Sequence, residues 1–293
     1  MIYAARLTLL FAFALALTCV SARADVAQSF SFTVARAPHP LPLDPSLNDP
    51  AWKTGQVPDG NGPWENVTTR SPSKYPTTAY LLYDDKNLYV GFKALQDGVP
   101  ITATQTTNDV GFGTDDFVGI GIVNGGGGSQ AYYFEATPRG VTYEQSNENV
   151  RYRPRWTAAG KVTGGSWSAM LVIPLNILRV PHGGKQTWRL QFVRQVAATG
   201  EHIAWAWNGI MGDSNSGTWP TFANDTRFWA GGDFDIAASA AARPKPRADI
   251  YGLASIGEDR NLFQQANGTF LPMNVRSFGG DVSYPLTPTI RFV

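Results

Sequence analysis

The chain has 293 residues and sets 24 Lys and Arg against 23 Asp and Glu, a formal charge of +1. That balance provides no nucleic-acid footprint, which needs clustered Lys and Arg. The 43 % apolar content excludes a disordered chain, because it can offset the entropy of ordering. Aromatic residues at 12 %, with 30 Gly and 20 Pro, predict short strands joined by tight turns in one or two domains.

The first element is an export signal. Arg6 precedes an uncharged apolar run over residues 7–20, and Ala22-Arg23-Ala24 forms a small-x-small cleavage site. The run is too short to span a bilayer as a helix, which takes about 20 residues. Cleavage before Asp25 leaves an exported protein without cysteine, since Cys19 lies in the signal. Disulfides, thiolate nucleophiles and thiolate metal sites are thereby excluded.

Residues 25–40 open a Pro-rich lead-in that continues through Pro42, Pro45 and Pro50, and Pro cannot serve a central strand. Residues 79–83 and 88–95 flank Asp84-Asp85-Lys86-Asn87, which predicts a hairpin with Asn87 tolerating a left-handed backbone. Leu88, Val90, Phe92 and Ala94 then share one face. Strands follow at 117–123 and 131–136, around a Gly125-Gly126-Gly127-Gly128 tip. Another at 166–173 ends at Pro174, with a helical turn at 175–178. In residues 187–196, Trp188, Leu190 and Phe192 face one way and Arg189 and Gln191 the other; Ile203, Trp205 and Trp207 alternate likewise. No long helical period follows the signal, so the expected fold is all-β, an antiparallel, jelly-roll-like sandwich. Residues 237–247 read as a linker, and 248–257 and 277–284 as weakly apolar strands. The chain stops at 289–293 in what reads as another strand, the pattern of a piece of a longer protein.

Five blocks in order carry a family resemblance. They are Leu47-Asn48-Asp49-Pro50-Ala51-Trp52; Leu82-Tyr83-Asp84-Asp85-Lys86-Asn87-Leu88-Tyr89-Val90-Gly91-Phe92; Asp115-Asp116-Phe117-Val118; Tyr133-Phe134-Glu135 with Pro138-Arg139-Gly140-Val141; and Trp167-Ser168-Ala169 running to Ile173-Pro174 and Leu178. Residues 41–236 are thereby similar to family 9 carbohydrate-binding modules. The resemblance implies a sandwich that binds a poly- or oligosaccharide, with calcium as a structural ion. Two positions depart from the family: Met170 stands where an acidic residue is frequent, and Glu144 where Asp is common. The tail Phe278-Gly279-Gly280-Asp281-Val282-Ser283-Tyr284, with Leu286-Thr287-Pro288, resembles the first strands of an uncharacterised outer-membrane β-barrel family. Residues 248–293 would then be a truncated barrel segment with unpaired edges, and the implied setting is the outer membrane, in polysaccharide catabolism.

Sugar recognition needs flat aromatic rings and polar groups that meet hydroxyls. Trp52, Trp167, Trp188 and Trp205 read as core, whereas Trp64, Trp156, Trp219 and Trp229 lie in loop-like contexts. Trp156 follows Arg151, Arg153 and Arg155, and Trp219 follows a polar loop, so Trp156, Trp219, Trp64 and Arg155 are the candidate sugar contacts. Calcium takes several oxygens. Asp84, Asp85, Asp97, Asp115, Asp116 and Glu135 form the pool, and Asp115, Asp116 and Glu135 are the candidate ligands. No catalytic residue stands out. The alternatives are a glycoside hydrolase using paired carboxylates among Asp115, Asp116, Glu135 and Glu144, and a non-binding plug domain of the barrel.

Overall fold

A computed structural model describes residues 30–59, 64–69, 71–110, 113–124, 130–147, 149, 151–205, 229–237, 247–259, 271–285 and 291–292. The signal segment, the 125–128 tip, Trp207, Trp219 and most of the expected linker lie outside the described residues.

In chain order the strands are β1 (Ser31–Thr33), β2 (Ala35–Arg36), β3 (Glu65–Asn66), β4 (Ser71–Pro72), β5 (Thr77–Tyr83), β6 (Asn87–Leu95), β7 (Phe117–Val123), β8 (Tyr132–Ala136) and β9 (Thr142–Ser146). They continue as β10 (Thr157–Thr163), β11 (Ser166–Pro174), β12 (Gly184–Val196), β13 (Glu201–Ala204), β14 (Ala230–Ile236), β15 (Arg247–Asp259), β16 (Leu271–Pro285) and β17 (Arg291–Phe292). Two short 3-10 helices occupy Pro50–Thr54 and Leu175–Leu178.

The described strands form three sheets. The larger has nine strands, with the path β4-β3-β13-β12-β7-β8-β9 and with β14 joining β12 to β1. The second runs β10-β11-β6-β5-β2, and the third β15-β16-β17. Pairing is antiparallel except for β1 with β14 and β2 with β5. The two parallel pairs come from one event. The N-terminal strand leaves the larger sheet at Val34 and joins the second, so residues assigned to a Pro-rich lead-in tie both sheets together.

The core lies between these two sheets. Leu88, Val90, Phe92 and Ala94 of β6 meet Trp188, Leu190 and Phe192 of β12 and Val118, Ile120 and Ile122 of β7. Phe92 and Phe192 touch across the interface with centroids 6.1 Å apart. Burying each such side chain is worth about 1.5–3 kcal/mol. A one-residue slip of β6 would exchange Phe92 for exposed Lys93, so the alternation sets the register. The hairpin is closed by Asp84, whose Oδ1 accepts from the N–H groups of Lys86 and Asn87 at 2.7 Å. Asn87 has no left-handed backbone and begins β6, because the carboxylate does the turning instead.

A second apolar cluster covers the outer face of the five-stranded sheet: Leu41, Leu47, Ala51 and Trp52 over Leu82, Tyr89 and Met170. Trp52 is buried there and not between the sheets. Met170, at the position where the family resemblance favours an acid, is fully buried under this cover, where an unpaired carboxylate would be costly.

Candidate functional site

One lateral edge of the sandwich is formed by β9 of the larger sheet and β10 of the second, the last strands of their sheets at that side. Residues 151–156, which lead into β10, deliver two aromatic side chains to the gap. Tyr152 lies 6.3 Å and Trp156 5.1 Å from the ring of Phe134. Tyr152 is anchored by its hydroxyl, which donates to the Ile177 carbonyl at 3.0 Å. Trp156 is partly buried, and its Nε1 donates to Oε2 of Glu144 at 2.9 Å.

Glu144 faces inward because β9 pairs it with Phe134. Only 3 % of it is exposed. Burial pushes its carboxyl up to about 7, while the Trp156 N–H opposes the rise; a hydrogen bond with Asp109 and that residue's charge raise it further, and Arg153 lowers it. Asp109 has a left-handed backbone, φ 64°, uncommon outside glycine. Its N–H donates to the Thr142 carbonyl at 3.0 Å, and its Oδ1 lies 3.8 Å from Arg153 Nε. An indole, two neighbouring carboxyls and a guanidinium therefore meet at the opening between two sheet edges. Arg155 is exposed one residue from Trp156.

The other sequence candidates fall elsewhere. Trp64 is 7 % exposed and packs in the inter-sheet core, so its ring is no open platform. Trp219 lies outside the described residues. Asp115 and Asp116 are fully buried and organise loops. Asp115 accepts from Thr104 Oγ1 at 2.6 Å and the Gln105 N–H at 2.7 Å; Asp116 accepts from Gln96 Nε2 at 2.8 Å and from the N–H groups of Thr102 and Ala197 at 2.7 Å. Every oxygen of these two carboxylates accepts a hydrogen bond from a protein donor. Among the described residues, no three His, Asp or Glu side chains gather as a metal site.

The hydrolase alternative needs two carboxyls about 5 Å or more apart on either side of a sugar bond. Glu144 and Asp109 are in hydrogen-bond contact, too close for that. Glu135 pairs with Tyr143, so it projects from the face opposite to Glu144. Asp115 and Asp116 are committed to their loops.

Two features were not anticipated. Arg194 points into the core, where it is fully buried. It donates to Thr77 Oγ1, the Leu95 carbonyl and Gln96 Oε1, each at 2.9 Å, and Gln96 passes the link on to Asp116. Burial pulls its guanidinium down to about 10, against the charge of Asp116. The strand alternation signalled the inward position, but the residue type argued against it. The outer face of the larger sheet carries a buried patch in which Trp229 packs edge-to-face on Tyr133 at 5.6 Å. Trp229 thus leaves its loop-like context for a packed one. Gly121 makes room for it, since a Cβ there would lie 2.5 Å from the indole. A cavity of about 440 Å³ opens at the opposite lateral edge, lined by Tyr83, Thr187 and Asp233 among others; no predicted contact residue reaches it.

No family model matches the chain, and no curated protein sequence matches it. Solved structures do. A candidate carbohydrate-binding protein from Bacteroides uniformis is 16 % identical with a TM-score of 0.53, covering 71 % of this chain and 100 % of its own. A family 9 carbohydrate-binding module from Caldicellulosiruptor kristjanssonii in complex with glucose is 12 % identical, TM-score 0.47, covering 71 % and 96 %. The cellotriose complex of a module of the same family and organism is 13 % identical, TM-score 0.47, covering 73 % and 98 %. The likeness to the Bacteroides protein establishes a shared sandwich fold.

Proposed function

We propose that the sandwich is a saccharide-binding module of an exported protein, with its site at the edge between β9 and β10. The observation that carries this reading is Trp156: a partly open indole held in place by Glu144, beside Asp109, Arg153 and Arg155. The ring supplies an apolar platform for a pyranose, and the carboxyl and guanidinium groups match its hydroxyls. The shared fold with a candidate carbohydrate-binding protein supports the same reading.

The C-terminal strands supply the attachment. β15 and β16 form a hairpin with thirteen register pairs, long enough for a membrane-spanning barrel strand. Ile250 and Phe278 share one face and are 89 % and 88 % exposed. Apolar side chains so open to water suit a lipid-facing surface. The hairpin is proposed to be the start of an outer-membrane barrel that holds the module at the cell surface for polysaccharide catabolism.

The test is a glycan array with the full chain and its Trp156→Ala variant. Saturable binding that falls about fivefold or more in the variant is expected, since stacking on an aromatic ring is worth about 1–3 kcal/mol. Unchanged binding would move the site away from this edge, and no binding by folded protein would remove the saccharide reading.

A further inference from the structure

The outer face of the five-stranded sheet carries an open groove of about 360 Å³, on the other side of that sheet from the core. Its polar lining is Thr78, Lys93, Thr163, Ser166 and Ser168: four hydroxyls and one ammonium, with no carboxylate. Strand register explains the arrangement. Lys161 lies opposite Ser168, Ser168 opposite Lys93, and Lys93 opposite Thr78. Directly opposed residues share a face, so a single polar row crosses four strands. Lys161 and Lys93 are two strands apart, about 10 Å at ordinary strand spacing.

Both lysines are exposed and neither takes part in an ion pair among the described residues. Lys161 Nζ donates to Ser46 Oγ at 3.0 Å, and Lys93 Nζ sits 5.6 Å from the ring centre of Tyr80. A lysine on an edge strand commonly serves to block edge-to-edge aggregation. That role covers Lys161 on β10 but not Lys93, which stands on the central strand β6. A central lysine surrounded by hydroxyl donors and no acid presents a positive field with adaptable hydrogen bonding.

We infer that this row is a binding surface for an anionic saccharide, a polymer bearing carboxylate or sulfate groups that bridge Lys93 and Lys161 while Thr78 and Ser168 meet its oxygens. The inference rests on the saccharide-binding reading but uses a different face from Trp156, so the two sites fail separately.

The experiment compares the full chain with Lys93→Ala, Lys93→Arg, the Lys93→Ala/Lys161→Ala double variant and Trp156→Ala, all by affinity electrophoresis. The probes are polygalacturonate, dextran sulfate and neutral xylan. The expected result is a loss of anionic-polymer affinity of about threefold for Lys93→Ala and about tenfold for the double variant, with Lys93→Arg retaining it. The anionic interaction should also weaken as salt rises from 0.05 to about 0.5 M, as exposed charges are screened. Dependence on the lysines with only one of the two anions supports the surface and identifies the acidic group. A double variant with wild-type near-UV circular dichroism and undiminished polygalacturonate and dextran sulfate binding overturns it. If xylan binding still depends on Trp156 in that case, the module reading stands alone.

Discussion

Replacing Glu144 by Gln should change how stability depends on pH. The Glu144 carboxyl is held at about 7 against an ordinary 4.5, chiefly by burial. A carboxyl whose folded value is raised binds its proton more tightly in the folded state. Its contribution is complete below about 4.5 and disappears as pH rises through about 7. At about 1.4 kcal/mol per pH unit, the difference is worth about 3 kcal/mol, a figure that belongs to the Glu144–Asp109 pair as a whole. Gln keeps an oxygen for the Trp156 N–H and offers Asp109 a permanent donor in place of the shared proton. For a domain of about 150–250 residues, 1 kcal/mol moves the melting temperature by about 2–4 °C. Between pH 5 and 8, where about 2.5 kcal/mol of this is lost, the wild type should therefore lose roughly 5–10 °C more than the variant, read by thermal melts of tryptophan fluorescence at stepped pH. Groups elsewhere titrate in both proteins and cancel in the comparison. Parallel profiles for the two proteins would refute the raised, buried Glu144 carboxyl, as would a variant that loses more stability than wild type over that range.

Asp116→Ala removes the acceptor of one buried and two partly buried donors and an acidic charge that acts on Arg194, so urea unfolding should show a loss of about 3 kcal/mol. Treating the wild type with EDTA should leave its melting temperature unchanged, because both oxygens of the same carboxylate already accept protein N–H groups; a drop of several degrees would contradict that assignment. Phe278→Asp with Ile250→Asp should abolish co-sedimentation of the full chain with phospholipid vesicles while leaving the sandwich's near-UV circular dichroism intact. Vesicle binding that survives the double change would argue against a lipid-facing hairpin.

The site was partly legible. Trp156, Arg155 and Glu144 all drew attention as residue types, and the structure places Trp156 on Glu144. Asp109 did not, because it reaches Glu144 only through the loop that precedes β7. Trp64 and Trp156 looked alike in sequence, both in polar surroundings; packing buries the first and leaves the second partly open. Glu135 and Glu144 stood together among the four candidate carboxylates of the hydrolase alternative, and strand pairing puts them on opposite faces.

Local physics is what the amino-acid order determined by itself. Period-two alternation in β6 and β12 marked the core face, Asp84 marked a tight turn, and Pro174 marked the end of β11, because each depends on neighbours along the chain. Tertiary structure alone decided the rest. The short strands β1 and β2 acquire their partners from β14 and β5, far along the chain, and have too few residues to show a period. Arg194 is tolerated in the core because carbonyls of Tyr75 and Pro76, just before β5, and of Leu95 in β6 converge on it. The carboxyl pair beneath Trp156 exists only when β9, the 104–110 loop and residues 151–156 are brought together, since burial is a property of an assembled environment and not of any residue.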